Sequence, residues 1–390
     1  MPSLSPTRST PREFVALGSP SAIDPASIER LPDPSKFLIS GVRAALSVFS
    51  VVSVNPNFEK GKQVMTDKKI IAVVGATGSQ GGGLVRAVLG DWNGPFTVRA
   101  LTRNPDSAKA KEFAARGAEV VRVDLDDEAS LRAAFNGAYG AFVVTNYREQ
   151  LTSEQEAARS RARRELDQVS NAARAAKAAG LKHVVWSTLE DTRPHFAFLG
   201  SDVPTLEDGY KVPHLDAKNE ANAHFTALGV PTTFLETSFF YEMFVLAGLS
   251  PRRGADGQAV LSLPMGDSTM ALVAAEDIGR TAHGIFRAGA RFVGRTVGLA
   301  GTHATGGQLA ELFAKVLGEP VAYRPMTHDQ MRNAGFPEAE ELGNMFQFFT
   351  EAAVTFVGNR DLDLVRTLNP RLRTLEDWLI DHREQLKSAL

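Results

Sequence analysis

Residues 70–89, IIAVVGATGSQGGGLVRAVL, constrain the fold of this chain more than any other stretch. An apolar run containing Ile70, Ile71, Val73 and Val74 stops at Gly75, and Leu84, Val85, Val88 and Leu89 then recur at helical spacing. Strand, glycine turn and helix form the opening unit of a nucleotide-binding α/β domain. Gly75, Gly78 and Gly81 carry the turn. Without Cβ atoms they let the backbone bend sharply and approach a pyrophosphate, whose charge sits on the free N–H groups of the helix start. The alternative is a bare structural turn. The strand before it and the helix after it favour the dinucleotide reading.

The second expected strand, FTVRALT (96–102), runs into Arg103, 22 positions after Gly81. A site for NAD places an acid near this point to hold the ribose 2′-OH. A guanidinium instead grips a 2′-phosphate through paired hydrogen bonds, so the expected cofactor is NADP(H); the alternative is a solvated strand-end arginine. The third strand, AEVVRVDL, ends at Asp124, which either accepts from an adenine amino group or belongs to a charged helix start. The fourth, AYGAFVVTN, leads to Thr145, Asn146 and Tyr147 at a strand C-terminus, where open α/β sheets place ligands.

With 390 residues and 43% hydrophobic content, the chain exceeds one ordinary domain and supports a large core. Its net charge of −2 creates no global field towards nucleic acid or anionic membrane. Cysteine is absent, which excludes disulfides, thiolate metal sites and cysteine redox chemistry. The eight histidines form no HxxxH or HExxH pair, so no metal is expected.

Residues 1–64 differ from the rest. They open MPSLSPTRSTPREF and contain an apolar run at 37–54, FLISGVRAALSVFSVVSV. Arg43 and the Ser and Gly content disfavour a membrane anchor. The late start of the run and five acids disfavour a targeting signal. The favoured reading is a native start at Met65, with 1–64 a disordered or non-native extension and a cytoplasmic protein that contacts no membrane.

From Lys68 onward strands and helices alternate. A long helix is expected over 152–179, its arginines (Arg159, Arg161, Arg163, Arg164) serving solvation. KHVVWST gives the fifth strand, a helix follows from about His214 to Leu228, and VPTTFLE gives the sixth strand. Beyond Ser238 short strands around 259–273 and helices near 276–287, 305–317, 338–353 and 374–387 are expected. The expected architecture is α/β: a Rossmann doubly wound parallel sheet over 65–237, with a smaller mixed C-terminal lobe over 238–390 returning some strands to the main sheet.

GATGSQGG, LTRNPDS, VVTNY, HLDAKNEA, GVPTTFLETSFFYE, LSLPMGD, GFPEAEELGNMFQF and NPRLRTLEDWL run in this order from about Lys68 to Asp381. Through them the chain resembles the NmrA-like branch of the atypical short-chain dehydrogenase/reductases, particularly its NADPH-sensing members. The resemblance implies NADP(H) bound along Gly75, Ala76, Thr77, Gly78, Ser79, Gln80 and Gly81, with Arg103, Asp124 and the Thr145–Asn146–Tyr147 turn. It also implies nicotinamide-side contacts from Lys218 and from Phe240, Tyr241 and Glu242. Where such proteins often read YFEN this chain reads FYEM, so Met243 replaces an amide, and Ser107 stands where some members carry a second basic residue.

Active short-chain reductases use Tyr-x-x-x-Lys, in which the lysine lowers the phenol's pKa. Here the tyrosine position is His214, four before Lys218 on one helix face. His214 is either a proton donor or a helix-start residue without chemistry; Ser187, at the end of strand five, stands where reductases keep a substrate-polarising serine, or is only a helix-cap or turn residue. Catalytic candidates are therefore Lys218 and His214. Two functions follow. One is a redox or cofactor sensor acting through protein partners, which the resemblance suggests are transcription regulators or metabolic enzymes. The other is an NADPH-dependent reductase of a small carbonyl, quinone or alkene substrate, with Phe196, Phe198, Phe239, Phe240 and Phe244 as its apolar lining. A homodimer is left open.

Overall fold

Alternate residues of the first strand enter opposite cores. The computed structural model describes residues 68–390, so the expected 1–64 extension lies outside the described residues. In β1 (Lys69–Val73), Ile71 and Val73 pack with Leu84, Val85 and Ile278 on one side. Ala72 packs with Val169, Trp186 and Phe225 on the other. A strand apolar on both faces belongs to a parallel sheet covered by helices on both sides.

That sheet comprises β1, β2 (Phe96–Thr102), β3 (Glu119–Arg122), β4 (Gly140–Val143), β5 (His183–Thr188), β6 (Thr232–Glu236) and a late edge strand, Thr296–Gly298. Between β6 and that edge strand lie β7 (Phe239–Phe240), β8 (Arg252–Arg253), β9 (Ala259–Leu261) and β10 (Thr269–Val273), which makes the edge strand β11. The spatial order is β11-β6-β5-β4-β1-β2-β3, with every pairing parallel. The chain steps outward from β1 to β3 and returns to the other side of β1 as β4. The ends of β1 and β4 thus form a topological switch point, where a doubly wound sheet opens a crevice.

The nearby helices are α1 (Ser79–Gly90), α2 (Ala108–Ala115), α3 (Glu128–Phe135), α4 (Ser153–Ala158), α5 (Arg161–Ala179), α6 (Arg193–Leu199), α7 (Pro213–Ala227), α8 (Met243–Leu246) and α9 (Ala275–Arg287). Helices α1 and α9 touch backbone to backbone. A Cβ on Gly83 would strike the Glu276 carbonyl, and one on Gly279 would strike the Gln80 carbonyl. An Arg86–Glu276 ion pair at 2.8 Å adds a lateral tie.

Two expectations are corrected. The helix expected over 152–179 breaks at Arg159–Ser160, because Ser160 turns extended and accepts from Arg163 N to start α5 afresh. Three of its four arginines also brace neighbouring loops. Arg159 and Arg164 reach Asp126 at 2.8 and 2.7 Å, and Arg161 donates to the carbonyls of Tyr147 and Glu149 at 3.0 and 2.7 Å.

The later chain adds two three-stranded sheets, β7 and β10 with β12 (Thr302–Thr305), and β8 and β9 with β13 (Val321–Tyr323). Phe239, Phe244, Phe313, Phe346 and Trp378 anchor their shared core. The helices expected near 338–353 and 374–387 each divide, at Ala352 and His382. Among the described residues no helix is long and apolar enough to cross a membrane.

Candidate functional site

A cavity of about 700 Å³ opens over the ends of β1–β4 and extends to the segment after β7. Its lining includes Gly75, Thr77, Gly78, Ser79, Gln80 and Gly81 from the glycine turn, then Arg103, Asp124, Thr145 and Asn146 from strand ends. Phe240, Glu242, Met243 and Leu246 line it from the later chain, and Glu149 from the loop after β4.

The turn is built as the glycine spacing requires. Gly75 has φ +65°, a left-handed conformation that a side chain disfavours. A Cβ on Gly81 would run into the Gly75 carbonyl. Ala76 is fully buried, and its N–H donates to Leu101 O at 3.2 Å, fixing the turn to β2. Gly78 caps α1 with extended backbone and offers no side-chain acceptor. The first-turn N–H groups are therefore left to whatever anion enters the cavity.

Arg103 projects into the cavity with its side chain 61% exposed and pairs with Glu149. That hydrogen bond outweighs the effect of partial burial and raises the guanidinium's pKa. Asp124 lines the cavity while its Oδ1 accepts from Asp126 N at 3.0 Å. Ser107 accepts from Ala110 N and caps α2, so it supplies no second charge.

At the β4 end, Lys218 Nζ donates to Thr145 Oγ1 at 2.7 Å and also bonds Glu165. Thr145 itself donates to Glu165. Lys218 stands behind Thr145 and does not line the cavity. Tyr147 donates its hydroxyl to Glu207 at 2.5 Å, and burial, then that bond, pushes its pKa far up. Tyr241 is buried, with its hydroxyl donating to Thr302 at 2.8 Å. Glu242 accepts from Ala275 N at 3.1 Å and so holds the start of α9; burial raises its pKa.

The possible proton donors are engaged elsewhere. His214 Nδ1 lies 2.5 Å from Glu341 Oε1, and the same oxygen accepts from His214 N at 2.9 Å. Ser187 donates to Gln80 Oε1 at 2.7 Å, and Tyr210 donates to Glu220 at 3.1 Å.

The apolar lining expected from five phenylalanines is corrected. Only Phe240 lines the cavity. Phe196, Phe239 and Phe244 belong to the core, and Phe198 is 88% exposed, on the far side of an α6 turn that needs only one face. Glu149, Glu165 and Glu341 were not singled out in the sequence. Each meets its partner across 46, 53 and 127 residues, so no local spacing marks them.

A profile of the NmrA-like family matches residues 67–379. FrzB of Cladobotryum sp, an NmrA-like family domain-containing oxidoreductase, is 31% identical over 291 residues, covering 72% of this chain and 83% of its own. The negative transcriptional regulator NmrA, solved with NADP and with NAD, superposes with TM-scores of 0.63 and 0.64 at 24% and 22% identity. Both comparisons cover 83% of this chain and 98% of the regulator. Triphenylmethane reductase of Citrobacter sp., solved with NADP(H), superposes at 0.59 and 21% identity over 83% of this chain and 100% of its own. At these identities the structural likeness speaks to the fold.

Proposed function

The chain belongs to the NmrA-like family, and from that membership we propose that it is an NADP(H)-binding regulator whose cofactor state governs its contacts with other proteins. The residues present suit the cofactor. The uncapped start of α1 suits a pyrophosphate, Arg103 a 2′-phosphate, and Asp124 an adenine amino group. Thr145, Asn146, Phe240 and Glu242 are the nicotinamide-side contacts. Lys218 positions Thr145 from behind, while Tyr147 and Tyr241 hold the segments that carry these contacts. NADP binding in NmrA and NADP(H) binding in the Citrobacter reductase agree with this assignment. When bound, the cofactor supplies or accepts a hydride.

One observation carries the regulatory reading. Where an active reductase has its tyrosine, this chain has His214 tied to Glu341, and among the described residues no tyrosine lines the cavity. A bound cofactor without the phenol that a short-chain reductase uses as its acid is suited to being sensed. A ligand shifts a conformational balance only by its differential affinity, so a sensor of redox state must bind NADPH and NADP⁺ unequally. Titration of the full chain with each form, followed by limited proteolysis of each complex, tests this. Unequal affinities with different cleavage patterns are expected; equal affinities with identical patterns would count against it. The protein partner is a transcription regulator or a metabolic enzyme.

A second reading, an NADPH-dependent reductase, is favoured by the likeness to FrzB, which is named an oxidoreductase. It is also favoured by the apolar ground of Met243 and the 80% exposed Leu246 beside Phe240, which suits a small carbonyl, quinone or alkene.

A further inference from the structure

Arg103 meets a carboxylate at the place where it would meet a phosphate. Its partner, Glu149, lines the same cavity from the loop after β4. A 2′-phosphate arriving at Arg103 would face this carboxylate at close range, and like charges held together are strongly unfavourable. Glu149 must then leave Arg103. Its backbone is not free to follow, because Arg161 Nη1 donates to its carbonyl at 2.7 Å. Only the side chain can pivot.

A receiver stands ready. Arg164 Nε is buried with no hydrogen-bond partner among the described residues. It already forms an ion pair with Glu149 Oε2 at 3.6 Å, just outside hydrogen-bonding range. Asp126 holds the other end of the same guanidinium, with Nη2 at 2.7 Å, so Arg164 stays in place while its Nε waits. A small rotation of the Glu149 carboxylate releases Arg103 and satisfies this nitrogen.

From this geometry we propose that Glu149 is a displaceable counter-ion that sets the balance between NADPH and NADH. It occupies Arg103 when no 2′-phosphate is present and moves to Arg164 when one is. The proposal rests on the assignment of Arg103 to the 2′-phosphate. It adds that this arginine is not free in the resting protein, so NADPH affinity carries the cost of displacing Glu149 and NADH affinity does not.

The test measures dissociation constants of the full-length chain for NADPH and NADH, with 2′,5′-ADP and 5′-ADP as fragments with and without the second phosphate. Glu149→Gln keeps the shape of the side chain but removes its charge. It should tighten NADPH and 2′,5′-ADP by roughly tenfold, and NADH and 5′-ADP should not share the gain. Arg164→Gln should weaken NADPH selectively, since the displaced carboxylate has no receiver. In the double variant that penalty should vanish, because there is no carboxylate left to receive. If Glu149→Gln binds NADPH no more tightly than the parent while Arg103→Asp loses NADPH selectively, the counter-ion proposal falls and the Arg103 assignment stands. If Arg103→Asp loses both cofactors alike or neither, the assignment falls and takes the proposal with it. Should Glu149→Gln fail to fold, Arg164→Gln decides: unchanged NADPH affinity overturns the proposal.

Discussion

Lys218 on α7 donates through Nζ to the Thr145 hydroxyl at 2.7 Å, and both groups converge on the carboxylate of Glu165, which is 2% exposed. One buried ion pair thus ties α5 and α7 to the turn that forms one wall of the cavity. Removing one partner of such a pair leaves the other charge buried and unpaired, at a cost of about 3–5 kcal/mol. Lys218→Met should lower unfolding stability by that order in a denaturant titration. Adding Glu165→Gln should recover much of the loss. A single variant as stable as the parent would show that the pair does not support the fold.

Arg103→Asp removes the phosphate partner and installs an acceptor for a ribose 2′-OH. Loss of a charge-assisted bidentate contact should weaken NADPH binding by about one to two decades. NADH binding should hold or improve. Equal loss of both cofactors in the same titration would reject Arg103 as the discriminating residue.

His214 and Glu341 give the protein a pH dependence unrelated to proton transfer. Burial alone would raise the Glu341 pKa, but the adjoining His214 and then Arg148 outweigh it and hold the carboxyl at about 2. A carboxyl depressed in the fold stabilises the protein above its unfolded pKa and loses that contribution as pH falls. The contribution should be on the order of 3 kcal/mol, complete above about pH 4.5 and gone near pH 2. Thermal melts across this window should show the decline, and His214→Phe should both lower stability at neutral pH and flatten the acid limb. An unaltered limb would mean that His214 does not hold Glu341.

Glu236 works in the opposite direction. Burial, reinforced by Glu190 and partly offset by Arg360, pushes its carboxyl up to about 7. Arg360 is wholly buried, with its guanidinium 2.7 Å from Glu190 and 3.6 Å above the Phe356 ring centroid. A carboxyl raised in the fold favours the folded state below its unfolded pKa and loses that advantage as pH rises through the folded value. Stability should fall by about 1–3 kcal/mol between roughly pH 4.5 and 7, and Glu236→Gln should remove the slope. A slope that survives the substitution would assign it to another group.

The sequence exposed the parts of this molecule that follow from local pattern. The β1–turn–α1 unit, the parallel strands ending at Arg103 and Thr145, and the alternating helices could all be read from apolar periodicity and glycine spacing. The breaks at Ser160, Ala352 and His382 could not, because each depends on a cap or a packing change within an otherwise helical composition. The engagement of the site residues was equally hidden. Arg103, Lys218 and His214 each meet a glutamate from a distant element, and nothing in the spacing of a single chain signals which acid will arrive. Gly83 is a milder case. It reads as one more residue of a glycine turn, yet its lack of a side chain serves the contact with Glu276 on α9.

The regulatory reading is tested most directly by NADPH consumption against a panel of carbonyl, quinone and alkene compounds, with NADPH affinity measured in parallel. Parent and His214→Phe proteins are compared below the variant's melting temperature. Saturable NADPH binding is expected in both, with no turnover that depends on His214. A turnover that collapses by about 10²- to 10⁴-fold in His214→Phe at unchanged NADPH affinity, the usual scale of general acid–base catalysis, would contradict the regulatory reading and establish a reductase.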